Sequence, residues 1–125
     1  MPFFNVELNR IANDIGASDL TIYLHTEAPT DAAPTNGRVT TGGGLYQTGA
    51  PLPSTGISDA SEGDIHNTVA VAFGESAADI GILVAWSAYR ATAPVAYGTL
   101  PNTEINTGDT FTMAPNTLLL NGSTT

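Results

Sequence analysis

Residues 20–29 read LTIYLHTEAP, and they are the most informative part of the chain for its fold because a regular pattern ends abruptly within them. Its first six residues alternate apolar and polar side chains, which predicts a half-buried β-strand over about 19–25. The alternation stops at Thr26, and a long loop rich in proline, glycine and other small residues continues to residue 44. A half-buried strand that opens into such a loop is typical of a β-scaffold.

The same alternation returns in short segments along the rest of the chain. We expect further strands at 45–48, 67–73, 80–86, 95–100, 110–113 and 117–120. Segment 80–86 alternates most strongly and is predicted to be the central strand. The apolar faces of 80–86 and 67–73 are predicted to hold Ile80, Ile82, Val84 and Trp86, and Val69, Val71 and Phe73.

Turn residues and prolines set the expected limits of these strands. The run Asn-Thr-Gly-Asp at 106–109 predicts a turn. Pro51 and Pro53 are expected to end the 45–48 strand, and Pro94 and Pro101 to bound the 95–100 strand. The reason is that proline lacks the N–H group that a central ladder needs.

The first sixteen residues contain the one good helix candidate. The spacing of three and four residues in the stripe Leu8, Ile11, Ala12 and Ile15 predicts an amphipathic helix. Asn5 is the expected N-cap, and Gly16 is expected at the C′ position. Phe3 and Phe4 precede the helix and form either a hydrophobic staple or an arm that reaches a neighbouring molecule.

Together these elements predict a mainly β protein, an antiparallel β-sandwich or jelly-roll-like domain with one short N-terminal helix. A length of 125 residues favours a single folding unit. We divide it into an N-terminal arm and short helix over 1–16 and a β-sandwich domain over 17–125.

The charge balance limits the possible partners. The chain has no lysine and three arginines against twelve acidic residues, for a net charge of −9. Phosphates repel such a chain, so we expect neither nucleic acid nor a membrane as a partner. The acidity fits a neutral or basic partner, and it also fits a charge that merely prevents self-association. Absence of cysteine excludes disulfides and thiolate chemistry.

The acidic loop within 54–66 is the densest group of potential metal ligands. Asp59, Glu62 and Asp64 could offer oxygens to calcium, but their spacing does not match an EF-hand loop. His25 and His66 lack a partner at a metal-ligand offset, and each is predicted to be a surface or rim histidine with an ordinary hydrogen bond. We therefore expect no metal and no cofactor.

Catalytic signals are weak as well. Ser87 lies in an apolar strand with no nearby base in the sequence, and the chain has no Gly-x-Ser-x-Gly elbow. A Ser-His-Asp triad stays open at this level, because its members need not be adjacent in sequence. The glycine run 42–44 lacks the lysine of a phosphate-binding loop. We predict no catalytic residues and no enzyme.

Aromatic residues on the predicted strands have two interpretations. They could form a platform for a sugar, or they could be core and subunit-interface residues, which is the commoner use. The residues concerned are Trp86, Tyr89, Tyr97, Tyr46 and Tyr23.

Five short motifs in a fixed order resemble a family of small tailed-bacteriophage virion proteins. They are LHTEAP at 24–29, GGLY at 43–46, NTVAVAF at 67–73, VAWS at 84–87 and NTGDTF at 106–111. The resemblance covers nearly the full length. The chain departs from the family pattern at Glu27-Ala28, where Ala-Asp is usual, and in the length of the 28–42 loop.

The resemblance implies a structural component of the virion. Similar proteins are commonly described as tail-fibre or minor tail proteins, and comparable small β-domains serve as capsid decoration or cement proteins. We favour decoration on the outer surface of the capsid, because the sequence has no coiled-coil heptads or fibrous repeat for a fibre shaft. The alternative is a carbohydrate-binding receptor module at the tail tip.

A decoration role implies particular partners. The major capsid protein would be the receiving surface, and self-association into a trimer is favoured, although the sequence does not choose three over two or six. The expected interface residues are Phe3, Phe4, Leu8 and Ile11, with the two phenylalanines as anchors against the shell or a sister subunit.

Overall fold

The computed structural model describes residues 4–61 and 64–121. Two helices and eight strands occur in these ranges. In chain order they are α1 Asn5–Gly16, β1 Leu20–His25, α2 Gly44–Thr48, β2 Ala50–Leu52, β3 Asp64–His66, β4 Val71–Glu75, β5 Gly81–Arg90, β6 Ala93–Ile105, β7 Thr110–Met113 and β8 Leu119–Asn121. A single 3-10 turn follows β2 at Ser54–Gly56. The prediction of a mainly β protein with antiparallel sheets and one short N-terminal helix is confirmed.

A four-stranded sheet with the order β2-β1-β5-β6 forms the centre of the molecule. All its pairings are antiparallel, and β1 lies against β5 with Ile22 opposite Ala88 and Leu24 opposite Trp86. Two further pairs, β3 with β8 and β4 with β7, are also antiparallel. This arrangement is compatible with a sandwich, and β5 is an internal strand, as predicted.

One face of the central sheet carries the apolar core. The core-side residues of β1 are Leu20, Ile22 and Leu24, which are all buried as the alternation predicts. They lie in one cluster with the side chains of β5 and of the two smaller sheets, including Trp86, Ala88, Ile65, Val71, Phe73 and Met113. Helix α1 contacts β3 at the edge of this cluster.

The opposite face of the sheet is covered as well. Segment 26–43 pairs with the end of β1, since the Val39 N–H donates to the Leu24 carbonyl at 2.9 Å and the Thr26 N–H to the Gly37 carbonyl at 2.8 Å, which makes an antiparallel bridge between His25 and Arg38. The Asn36 carbonyl and the Arg38 side chain of this segment lie against the opposite face, on His25 and on the rings of Tyr23 and Tyr89. The buried residues of this face are His25, Ala85, Ser87 and Tyr89. Strand β1 is therefore not half-buried, as its alternation predicted, but nearly buried on both faces at its end.

The helix α1 follows its predicted stripe but not its predicted caps. Leu8 and Ala12 are buried and Ile15 is partly buried against the core. The N-cap is Phe4 and not Asn5, and Gly16 is the last helical residue rather than the C′ residue. A Cβ at Gly16 would lie 3.2 Å from Ile57 Cγ2, so the small residue serves the close approach of the helix to the body.

The predicted strand at 45–48 is wrong, because this segment forms the single helical turn α2. Tyr46 explains the outcome. Its hydroxyl donates to the Gly74 carbonyl at 2.7 Å and accepts from the Phe111 N–H at 2.9 Å, which ties α2 to β4 and β7. The strand follows as β2, and it contains Pro51.

Prolines did not bound the strands as expected. Pro51 lies in β2, and Pro94 and Pro101 lie inside β6. Both β2 and β6 are edge strands of the central sheet. An edge strand has one side without a ladder, so a missing N–H on that side breaks no pairing.

Two apolar residues lie on faces other than the predicted ones. Val69 precedes β4 and is exposed, whereas Val71 and Phe73 are buried. Ile82 is 51% exposed and Leu83 is buried in its place. The register of β5 on β6 shifts between Leu83 and Ala85. A bulge inserts one extra residue into a strand. The residues that face the core therefore have opposite parity before and after the bulge.

Candidate functional site

The face of the sheet beneath segment 26–43 brings together the polar and aromatic residues that the sequence scatters. Strand β1 contributes Tyr23 and His25, strand β5 contributes Ser87 and Tyr89, and the covering segment contributes Arg38. The register places Tyr23 directly opposite Ser87. We call these five residues the loop-side cluster.

His25 links the covering segment to the sheet through both nitrogens of its ring. Its Nδ1 lies 2.7 Å from the Asn36 carbonyl oxygen, and its Nε2 lies 2.7 Å from Ser87 Oγ. A carbonyl oxygen can only accept, so Nδ1 carries the proton and donates. Nε2 then accepts from the Ser87 hydroxyl. We call this chain of two hydrogen bonds the His25 latch.

The structure corrects two predictions at this point. His25 was expected at the surface, and it is fully buried. Ser87 was expected to have no base nearby, and His25 is hydrogen-bonded to it across 62 residues of sequence. The reason is that antiparallel pairing of β1 with β5 places residues from distant parts of the chain side by side.

The order of groups in the latch is that of a serine nucleophile, its histidine base and an acceptor that fixes the tautomer. The solvent exposure of Ser87 and His25 decides whether this arrangement can react with a substrate. His25 is 0% exposed and Ser87 is 2% exposed, so a substrate carbonyl has no approach to Ser87 Oγ in this structure. The arrangement therefore acts as a structural connection between segment 26–43 and the sheet.

The surroundings of His25 favour its neutral form. Burial is the largest cause and lowers the pKa of His25, because a charged imidazolium loses its hydration there. The hydrogen bond to the Asn36 carbonyl raises this pKa, and the positive charge of Arg38 lowers it. The net direction is downward, which keeps Nε2 free to accept from Ser87.

A tight turn within the covering segment places Asn36 and Arg38 at the cluster. Gly37 has a φ of +69°, and a Cβ on it would lie 2.5 Å from the Glu27 backbone nitrogen. Asn36 Nδ2 donates to the Ala28 carbonyl at 3.1 Å. The dipeptide Asn36-Gly37 thus folds the segment back onto its own beginning, since only glycine fits that approach.

Arg38 lies against aromatic rings. Its Cζ is 3.9 Å from the centroid of Tyr23 and 4.6 Å from that of Tyr89. The two rings meet edge to face with their centroids 5.2 Å apart. Aromatic faces attract a cation electrostatically, so the tyrosines stabilise the charge of Arg38 in this position.

The candidate metal loop does not assemble a site in the described residues. No group of three or more potential ligands among His, Asp and Glu occurs within 4–61 and 64–121. Asp59 and Asp64 are described, whereas Glu62 lies outside the described residues. His66 forms an ordinary hydrogen bond, with Nδ1 at 3.2 Å from Ser58 Oγ, as predicted for it.

The predicted interface residues separate in the structure. Phe3 lies outside the described residues. Phe4 is 89% exposed at the start of α1, Ile11 is partly exposed, and Leu8 is already buried within the chain itself. Sequence reasoning missed Val6, which is 83% exposed beside Phe4. Val6 lies outside the apolar stripe of the predicted helix, and this position was the sign in the sequence that its side chain would be exposed.

The candidate aromatic platform is mostly closed. Trp86, Tyr46 and Tyr89 are buried, and the ring of Tyr23 is faced by Arg38. Tyr97 of β6 is 53% exposed and lies opposite Ser87 in the register, so it points to the same side of the sheet as the loop-side cluster.

The chain matches no family model, and no curated protein matches its sequence. Within 4–61 and 64–121, neither helix has the length and the apolar character needed to cross a membrane.

Proposed function

We propose that this protein is a structural component of a bacteriophage virion, mounted on the outside of the capsid as a decoration protein. In this role it bridges neighbouring capsomers of the major capsid protein and adds binding energy that resists internal pressure. It acts as a homo-oligomer, with a trimer favoured. The sequence resemblance motivates the proposal, and one structural observation supports it.

That observation is the exposed apolar start of helix α1. Phe4 and Val6 are 89% and 83% exposed, although they are the kind of side chains that proteins bury. Aromatic and aliphatic anchors of this kind often dominate the binding energy of an interface. An arm that presents them away from the body is suited to insertion between subunits of a shell.

The far end of the same helix is fixed to the domain. Asn13 Oδ1 accepts from the Ala60 N–H at 2.9 Å, and Asp14 Oδ2 lies 3.4 Å from Nη1 of Arg90. Leu8 and Ala12 are buried on the body between these contacts and the exposed pair. The helix thus holds Phe4 and Val6 at one place on the surface of the domain, so that binding need not order the helix first.

The proposal includes no catalytic role. The one nucleophile and base pair in the loop-side cluster, Ser87 with His25, is buried beneath segment 26–43. The charge of −9 favours a neutral or basic receiving surface, since like charges would slow association.

Co-sedimentation with capsids that lack the protein tests the proposal. We expect Phe4→Ala with Val6→Ala to reduce capsid occupancy at least roughly tenfold, since each truncated anchor removes about 1–2 kcal/mol of binding. The matched control is Val69→Ala, because Val69 is also exposed but belongs to the β-body. Equal occupancy for the double variant and the control would contradict the arm as the binding element.

A second candidate function is carbohydrate recognition at the tail tip. Tyr97 favours it, because an exposed tyrosine on a sheet face is a common stacking surface for a sugar ring. Glycan-array binding that Tyr97→Ala abolishes, with no affinity for empty capsids, would favour this candidate over decoration.

A further inference from the structure

Arg38 differs from the other two arginines of the chain in its partners. Arg10 forms an ion pair with Glu7 on α1, and Nη1 of Arg90 lies 3.4 Å from Asp14. Within 4–61 and 64–121, no carboxylate lies within ion-pair distance of Arg38. Within the described ranges, the Arg38 guanidinium faces the rings of Tyr23 and Tyr89 and pairs with none of the acidic side chains, although the chain carries twelve acidic residues.

Three hydrogen-bond donor atoms of the loop-side cluster also lack an acceptor among the described residues. Arg38 Nε and Nη2 are buried and have no hydrogen-bond partner among the described residues, and the same holds for the Tyr89 hydroxyl. Tyr89 is only 6% exposed. A buried donor without an acceptor destabilises the fold, and it does so more strongly when the donor is charged. Three unpartnered donors in one cluster indicate that a bound group with hydrogen-bond acceptors satisfies them.

The identity of the two arginine nitrogens indicates the shape of that acceptor. Nε and Nη2 lie on the same edge of the guanidinium group, and their N–H bonds run parallel. This edge binds the two oxygens of a carboxylate side-on, in the bidentate geometry that makes Arg–carboxylate pairs strong. A carboxylate has only acceptors and can also receive a hydrogen bond from the Tyr89 hydroxyl.

We propose that Arg38 and Tyr89 form a binding site for a compact carboxylate, with Tyr23 and Tyr89 flanking the guanidinium. The ring centroids lie 3.9 Å and 4.6 Å from Arg38 Cζ, and the Nε–Nη2 edge is itself buried, so the ligand must be small and flat. Arg38 and Tyr23 are only partly buried, so the cluster lies near the surface of the domain. This site does not depend on the proposed virion role, and either can fail without the other.

The small number of cations makes a direct test possible. The chain has three arginines and no lysine, so the arginine Nε–H region of a ¹H–¹⁵N spectrum contains three resonances. The Arg38→Lys variant identifies the Arg38 signal by its loss. We titrate the labelled protein with sodium acetate against sodium chloride at fixed pH and ionic strength.

Acetate is expected to shift the Arg38 Nε–H resonance in a saturable way and to leave the Arg10 and Arg90 resonances in place. Tyr89→Phe keeps the ring and removes only a hydroxyl that has no partner among the described residues, so it should fold normally. It is expected to weaken acetate binding roughly tenfold, the effect of one hydrogen bond to a charged group. Arg10→Lys serves as the matched control and should leave the affinity unchanged.

Several results would overturn the site. Equal shifts for all three arginines would show general screening by the anion, and an unshifted Arg38 resonance would show no binding. Acetate affinity that Tyr89→Phe leaves unchanged would remove Tyr89 from the site. Phosphate that binds more tightly than acetate in a parallel titration would contradict the preference for a carboxylate.

Discussion

Where β1 and β5 pair at Leu24, His25, Trp86 and Ser87, both faces of the central sheet are buried, but the two faces are built from different chemistry. On the core side, Leu24 and Trp86 meet other apolar side chains. On the loop side, His25 meets Ser87 and the backbone of the covering segment through hydrogen bonds. Apolar contact has no preferred direction, whereas a hydrogen bond requires a particular atom at a particular place. The core side therefore contributes most of the stability, and the loop side determines one conformation of segment 26–43.

The largest expected effect belongs to the core side. Trp86→Ala should lower the free energy of unfolding by about 3–5 kcal/mol, because it removes a large buried side chain and leaves a cavity. Ile82→Ala on the same strand is the control, since Ile82 is half-exposed, and it should change stability far less. Urea unfolding measures both. A loss for Trp86→Ala no larger than for Ile82→Ala would show that the core side is not the main source of stability.

An intermediate effect is expected at the turn that closes the loop side. Gly37→Ala forces an alanine into the left-handed region, which costs about 1–2 kcal/mol, and it also collides with the Glu27 backbone. Gly44→Ala is matched in φ but has no atom within 4 Å of its Cβ. We expect Gly37→Ala to be worse by about 1 kcal/mol or more, as for other overpacked sites.

Trypsin offers a second measurement of the same turn. It cleaves after arginine, and Arg38 lies within the covering segment. Opening of that segment should speed cleavage after Arg38 in Gly37→Ala and not in Gly44→Ala. Equal cleavage rates in the two variants would contradict the role of this turn in holding the segment on the sheet.

The smallest expected effect is a pH dependence that comes from the His25 latch. The pKa of His25 in the folded protein lies below its ordinary value of 6.5, chiefly because of burial. The unfolded chain therefore takes up the proton first as the pH falls. The stabilisation from neutral His25 is complete above about 6.5 and is lost as the pH falls from there towards the folded pKa.

Parallel urea unfolding of the native chain and His25→Gln over this pH range isolates the contribution. The carboxylates are common to both proteins, so the difference between the two curves reports His25. We expect the native chain to lose stability relative to His25→Gln as the pH falls. Curves that stay parallel, or a relative gain for the native chain at low pH, would contradict a neutral buried His25.

The sequence predicted well what local pattern controls. The alternation over β1 and the turn residues before β7 placed these strands correctly, and the strand predicted at 110–113 is β7 itself. The strongest alternation marked an internal strand, β5. The stripe of α1 predicted which residues face the body. In each case the sequence pattern and the structural feature that it predicts involve residues that are close together in the sequence.

The loop-side cluster was not predictable in the same way. Alternation shows that Tyr23 and His25 share a face, but it does not show that segment 26–43 folds back over that face. The partner of His25 is 62 residues away, so the pair follows from sheet register and not from local spacing. The bulge after Leu83 likewise reversed the expected exposure of Ile82. The turn dipeptide Asn36-Gly37 inside the long loop was the one local sign that the segment folds back towards β1.

Immunogold electron microscopy of intact virions, with an antibody raised against this chain, distinguishes a protein on the head from one on the tail. We expect label distributed over the head, where a decoration protein would bridge capsomers through Phe4 and Val6. Label confined to the tail would contradict it and would favour receptor recognition in which Tyr97 takes part.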